Sequence, residues 1–350
     1  MNGLPLPALD GRSPLGFLAA LGVLRLVTGH SHPQARLGWS ALECTAELHD
    51  AHTRIQDLAS DLEQIVAQIP EGGVLPGLPV DFPPLGEAPD KLRLSRPELS
   101  AYASQLFTGL DAPAALEAEQ WLCSLVTDLV LDDKGRASIS LLTAPSGKQS
   151  MRTMLEKPLA MVRKHPGTLT EALVAWRRYP EVTGEYLDHR VLFDAADAPD
   201  GKPRERGIPG ATWLALMAYP LLLTTAVKAP TGTEQVTSGW SRMRGPRGAS
   251  RRFTYPLWSH PLDLPGVQVL LEHPAVVGSP VGPAGMQLRA LSVFAIHAAE
   301  RQKISGRTFA GVLTPIRHEA PTAQAGPGRR PDPRGPRSGA SRGGAGAVIV

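Results

Sequence analysis

The sequence predicts a mixed α+β protein: helices and short strands in one compact body, followed by a disordered C-terminal tail. Three observations carry this. Apolar residues make up 42% and charged residues 20% of the 350, enough to bury a real core. Apolar positions recur at helical spacing in some segments and at alternate positions in others. The 35 glycines and 34 prolines are a fifth of the chain, so turns and loops are abundant. A wholly disordered, collagen-like or disulfide-scaffold chain is excluded.

The first element is a helix over residues 14–27. Ser13 stands at its N-cap and Pro14 at its first turn, a favoured helix opening. Leu18, Leu21 and Leu24 share one face, and Phe17, Val23 and Leu26 make the rest apolar, so the helix is expected to be buried nearly all round. Gly16 and Gly22 let a neighbour approach closely, and Gly29 suits a C-cap. Leu42, Cys44, Ala46 and Leu48 alternate with polar residues, as in a half-buried strand or hairpin. Ile55, Leu58, Leu62, Ile65, Val66 and Ile69 then follow helical spacing, capped by Asp50 or Thr53.

Residues 70–97 hold seven prolines and read as a long surface connection. Helices are expected over 97–109 and 113–131, a turn at Asp132–Gly135 and a strand in ASISLLTA. Two more helices follow near 148–164 and 168–178. After a polar stretch at 197–210, ATWLALMAYPLLLTTA is helical until Pro220. A strand is expected at 251–258 and helices at 264–273 and 284–300.

The net charge of +3 hides an asymmetry. Residues 321–350 carry five arginines against Asp332, a net of +4, which leaves the first 320 residues at −1. With 12 glycines or prolines in 30 residues, this tail reads as disordered. The body spans 1–320, with a candidate sub-division near 135–147. Cys44 and Cys123 give neither a metal spacing nor a disulfide framework and read as reduced thiols. The apolar run from Pro14 to Val27 contains Arg25 and is too short to span a bilayer. No signal-peptide pattern precedes it, so a cytoplasmic protein without membrane contact is expected.

Two motifs resemble catalytic signatures. His49-Asp50, with His30 and His32 upstream and Asp128, Asp132 and Asp133 downstream, resembles the doublet of HD-type metal-dependent phosphohydrolases. The doublet falls where a strand gives way to a helix, so Asp50 also reads as a helix cap. APSGKQS falls short of a phosphate loop: Leu142 stands where the first glycine belongs and Gln149 replaces Ser or Thr. Gly147, Lys148 and Gln149 near a helix start still suit a backbone phosphate, with Arg152 one turn on.

The densest signal is the loop from Trp240 to Trp258. It holds Arg242, Arg244, Arg247, Arg251 and Arg252, no acid, and the aromatics Trp240, Phe253, Tyr255 and Trp258. Arginines among glycines can follow a phosphate backbone, and Trp240 and Trp258 are the candidates to stack on bases. The alternative is a solvated connector whose aromatics serve the core. Arg163, Lys164, Arg177 and Arg178 would widen the positive surface if the fold gathers them.

Three segments resemble a known family. LPALDGRSPLGFLAALGVLRLV, SGKQSMRTMLEKP and RRFTYPLWSHPLDLPGVQVLLEHP are similar, in that order, to CRISPR-associated proteins of the type I-G (formerly I-U) systems. The chain is short for the large subunit and looks more like a reduced large-subunit-like member or the helicase-nuclease extension family. The resemblance implies a non-enzymatic subunit in antiviral defence, whose partners are effector subunits and guide RNA or target DNA. It implies no catalytic residue, metal ligand or cofactor, and none is assigned. The rival classes are the metal-dependent phosphohydrolase and a purely structural adaptor.

Overall fold

The computed structural model describes residues 3–86, 91–143, 150–180, 182, 186–191, 205–229, 232–245, 248–302 and 311–316, and the backbone alone at 244, 245, 248 and 249. Lys148, Arg247 and the tail 321–350 lie outside the described residues. The first of two units runs from Met1 to Arg317 and is α+β throughout.

Its helices are α1 (Pro14–His30), α2 (Ile55–Gln68), α3 (Arg96–Phe107), α4 (Ala112–Leu125), α5 (Met151–Lys164), α6 (Thr168–Val174), α7 (Pro209–Met217), α8 (Leu264–Glu272), α9 (Pro274–Val277) and α10 (Met286–Arg289). The strands form small antiparallel sheets. One has the order β1-β3-β2, from β1 (Leu4–Asp10), β2 (Arg36–Trp39) and β3 (Thr45–His49). Three hairpins follow: β4 (Val126–Leu131) with β5 (Ala137–Ile139), β6 (Tyr179–Pro180) with β7 (Arg206–Gly207), and β8 (Thr224–Ala229) with β9 (Gly232–Thr237). The largest sheet has the order β10-β11-β13-β12, from β10 (Trp240–Gly245), β11 (Gly248–Trp258), β12 (Gly282–Pro283) and β13 (Val293–Gln302). A last strand, β14 (Val312–Pro315), also pairs with β13.

Helix α1 lies at the centre, buried from Pro14 to Val27 as its all-round apolar sequence predicts. Its two glycines mark contacts that no side chain would fit. A Cβ at Gly22 would lie 1.8 Å from the Leu214 carbonyl oxygen of α7, and one at Gly16 would lie 2.3 Å from that of Asp10. Phe17 projects from α1 into an aromatic cluster. It stacks on Tyr255 at 4.3 Å and Trp39 at 5.7 Å, and meets the edges of Phe253 and Trp258 at 6.4 Å. Five aromatics thus meet at one joint between α1, β2 and β11, where ring contacts add to area burial. Leu37 and Leu262 pair through their backbones beside it.

Several expectations are corrected. The helix expected over 113–131 stops at Leu125, because Val126, Thr127 and Val130 favour the extended backbone of β4. The helix expected over 284–300 is one short turn followed by β13. Ser292 breaks it with a left-handed φ of 61°, and pairing with β11 and β14 overrides the helical leaning of its alanines. The chain from Trp240 is a strand rather than a loop. Helix α1 runs past Gly29 to His30, and α2 begins after Arg54 with no side-chain cap from Asp50 or Thr53. Leu42, expected on a buried face, lies in the β2–β3 turn and is 92% exposed.

The proline-rich connection is not a surface loop alone. Val74, Leu75, Leu78, Phe82 and Leu92 join the core. Among the described residues, no helix is long and apolar enough to cross a membrane.

Candidate nucleic-acid interface

Strands β10 and β11 form a regular hairpin whose inner end is core and whose outer end is arginine. Trp240 pairs with Phe253 at the inner end; Arg242 pairs with Arg251 one step outward, and Arg244 with Ala249 beyond that. Residues two apart share a face of a strand, so Arg242 and Arg251 extend the row that begins with Trp240 and Phe253. They are 56% and 43% exposed. Strand β10 forms the edge of its sheet.

Like charges directly opposite on a sheet destabilise it. Glu234 of β9 relieves part of that repulsion: its carboxylate lies 3.5 Å from the Arg242 guanidinium and 3.9 Å from that of Arg251. Arg252 pairs with Glu300 of β13 at 3.5 Å. The segment that lacks any acid of its own therefore borrows two from elsewhere in the chain. Arg242 and Arg251 still share one carboxylate between two guanidiniums.

The other sequence candidates separate from this row. Trp258 is fully buried and its indole N–H donates to the Leu37 carbonyl at 2.7 Å, so its ring is core and offers no stacking platform. Trp240 is buried as well, against Phe253 at 5.7 Å and beneath the Arg301 guanidinium at 5.9 Å. Both tryptophans are corrected from base-stacking candidates to packing residues. Tyr255 is buried beside them, and burial pushes its phenol above the ordinary value.

Arg152 is corrected too. It is 3% exposed, and its guanidinium donates to the carbonyls of Val80 at 2.7 Å, Pro83 at 3.3 Å, Phe82 at 3.4 Å and Gly72. Its Nε bonds Glu156 at 2.7 Å. An arginine with both terminal nitrogens spent on backbone carbonyls and its Nε on a carboxylate holds the proline-rich connection and cannot meet a phosphate. Arg163 likewise donates to the Ile69 carbonyl at 2.6 Å, and Arg178 pairs with Asp188 at 2.7 Å. The side chain of Arg244, and Lys148 and Arg247 entirely, lie outside the described residues.

The His49-Asp50 doublet does not assemble the metal set that an HD-type phosphohydrolase needs. Asp50 lies 3.7 Å from Arg36, and His49 lies 3.7 Å from Glu47. Asp128 pairs with Arg96 at 3.2 Å. Asp132 is held by Arg136 and Arg93, and the Arg136 hydrogen bonds keep its carboxyl well below the usual range. His30 and His32 instead face His52 and Asp61, residues that sequence reasoning misses. The sequence does carry a signal: Asp61 falls three after Leu58 and four before Ile65, an acid inside the apolar stripe of α2. No protein-family model matches the chain, and no curated protein matches it.

Proposed function

We propose that this chain is a non-enzymatic, nucleic-acid-contacting component of a type I-G CRISPR system. The observation that carries the reading is the exposed cross-strand pair Arg242–Arg251 on an edge hairpin, two guanidiniums held by one carboxylate. A polyanionic backbone laid along β10 would relieve their repulsion and release its own counterions. A paired hairpin also suits such an interaction better than a loop, because the register already spaces its arginines.

The family resemblance adds support of a different kind. Two of its three segments, residues 6–27 and 251–274, are distant in sequence. Yet they meet at the Phe17–Tyr255–Trp258 cluster, so what they share is one packed joint rather than scattered leucines. The reading is tested by purifying the tag-free chain from its host and identifying what travels with it. Guide RNA and effector subunits are expected, with the RNA stripped by high salt. A chain that elutes alone and free of nucleic acid overturns the reading.

A further inference from the structure

Beyond nucleic-acid contact, we infer that His32, His52 and Asp61 form a binding site for a divalent transition metal of the zinc class. The three residues come from three places. His32 follows the end of α1, His52 lies in the turn before α2, and Asp61 sits one and a half turns into α2. One ligand atom from each lies within 4.8 Å of the others. Tetrahedral zinc ligands at about 2.0–2.1 Å stand roughly 3.3 Å apart, so the three atoms need to close by about 1.5 Å at most. The two imidazoles are already face to edge, 4.3 Å between ring centres, and His52 Nε2 lies 3.0 Å from Asp61 Oδ2.

Asp61 is what makes this more than a surface histidine cluster. It is 8% exposed, and it faces the C-terminal end of α1, where the helix dipole is negative. A buried carboxylate in that place costs stability unless cations or donors surround it. Ser31 donates to the oxygen that also meets His52, and His30 Nε2 lies 3.7 Å from the other oxygen. His30 stands behind Asp61 without a hydrogen bond to it, one more polar group around the carboxylate. Two imidazoles and one carboxylate select zinc and its neighbours over magnesium or calcium, which want oxygen ligands alone. His32 and His52 are only half-buried, so solvent reaches the open fourth position. The bound ion would clasp the end of α1 to α2.

The experiment is calorimetric titration of the tag-free full chain with zinc chloride, and separately with magnesium chloride, near neutral pH. One equivalent of zinc is expected to bind and raise the melting temperature, with no magnesium bound at the same concentration. Cobalt in place of zinc should show the visible absorption of a four-coordinate site. His32→Ala and His52→Ala should each weaken zinc binding by more than about 100-fold, and His30→Ala by less than about 10-fold. His49→Ala, outside the site, should leave it unchanged. Because Asp61→Asn could disturb α2, the half-exposed His32→Ala carries the test: its metal-free melting temperature should match the parent's while zinc binding is abolished. Zinc binding that survives in the His32→Ala/His52→Ala double variant, a parent that binds none, or equal affinity for magnesium overturns the inference.

Discussion

Arg152 and the pair Arg242–Arg251 are the same kind of residue put to opposite uses. Arg152 points inward. Its donors are spread over four carbonyls of the proline-rich connection, a segment whose irregular backbone cannot satisfy itself. Arg242 and Arg251 point outward from an edge hairpin and are left with half a carboxylate each. The difference teaches that an arginine's role is set by which acceptors the fold brings to it, and in both cases partners come from other elements of the chain. Gly147 and Lys148 ahead of a helix start make Arg152 look like a phosphate ligand, whereas its carbonyl partners lie some seventy to eighty residues upstream.

If that contrast is right, stability and binding should part company among the arginines. Arg152→Ala should be the most damaging change. It leaves several carbonyls without donors at about 1–3 kcal/mol for each that stays buried, so destabilisation by about 3–5 kcal/mol is expected in urea unfolding. Retention of parental stability would break the comparison from the inner side. Trp258→Phe removes one buried N–H bond while the Leu37 carbonyl keeps its bond from the Leu262 N–H, so about 0.5–1.5 kcal/mol of stability should go, with nucleic-acid affinity per folded molecule unchanged. Weaker binding at unchanged stability would return this ring to the interface.

The outer arginines should do the reverse. Arg242→Ala or Arg251→Ala should change stability by less than about 0.5 kcal/mol, since exposed surface pairs contribute little. The smallest structural effect and the sharpest functional one belong to Glu234→Gln. It removes the carboxylate shared by the two arginines, leaves the fold intact, and should raise affinity for single-stranded RNA or DNA by a few-fold in fluorescence anisotropy. Weakened binding would show that Glu234 organises the hairpin rather than competing with the ligand.

Much of the fold is legible in the sequence, because the decisive patterns are local. The all-round apolar run and the two glycines of α1 demand a buried helix with a close neighbour, and Gly22 against Leu214 supplies one. The stripe from Ile55 to Ile69 gives α2. What fails is whatever depends on distant pairing. The 284–300 segment has helical composition and becomes β13 because β11 and β14 flank it. The 240–248 segment has the glycines and arginines of a loop, and pairing with β11 makes its first six residues β10.

The candidate site is half legible for the same reason. Arginine density is plain in the sequence, but the carboxylates that temper it come from β9 and β13. The aromatics interleaved with those arginines look like stacking rings. They serve the core because Trp240, Phe253 and Tyr255 stand at the inner end of the row, where Tyr255 and Phe253 pack on Phe17 of α1, while the arginines stand at its outer end. His30 and His32 point in sequence to the wrong aspartate: adjacency favours His49-Asp50, while the turn at the end of α1 brings them to His52 and Asp61.

The central claim is that the outer row of the β10–β11 hairpin meets a phosphate backbone. It is tested most directly by the slope of log affinity against log salt, for single-stranded RNA and DNA, in the parent and in an Arg242→Ala/Arg244→Ala/Arg251→Ala variant. The account predicts weaker binding and a slope flattened by roughly 0.7–0.9 for each phosphate no longer neutralised, in a variant that melts where the parent does. A folded variant with the parent's affinity and the parent's slope would contradict it.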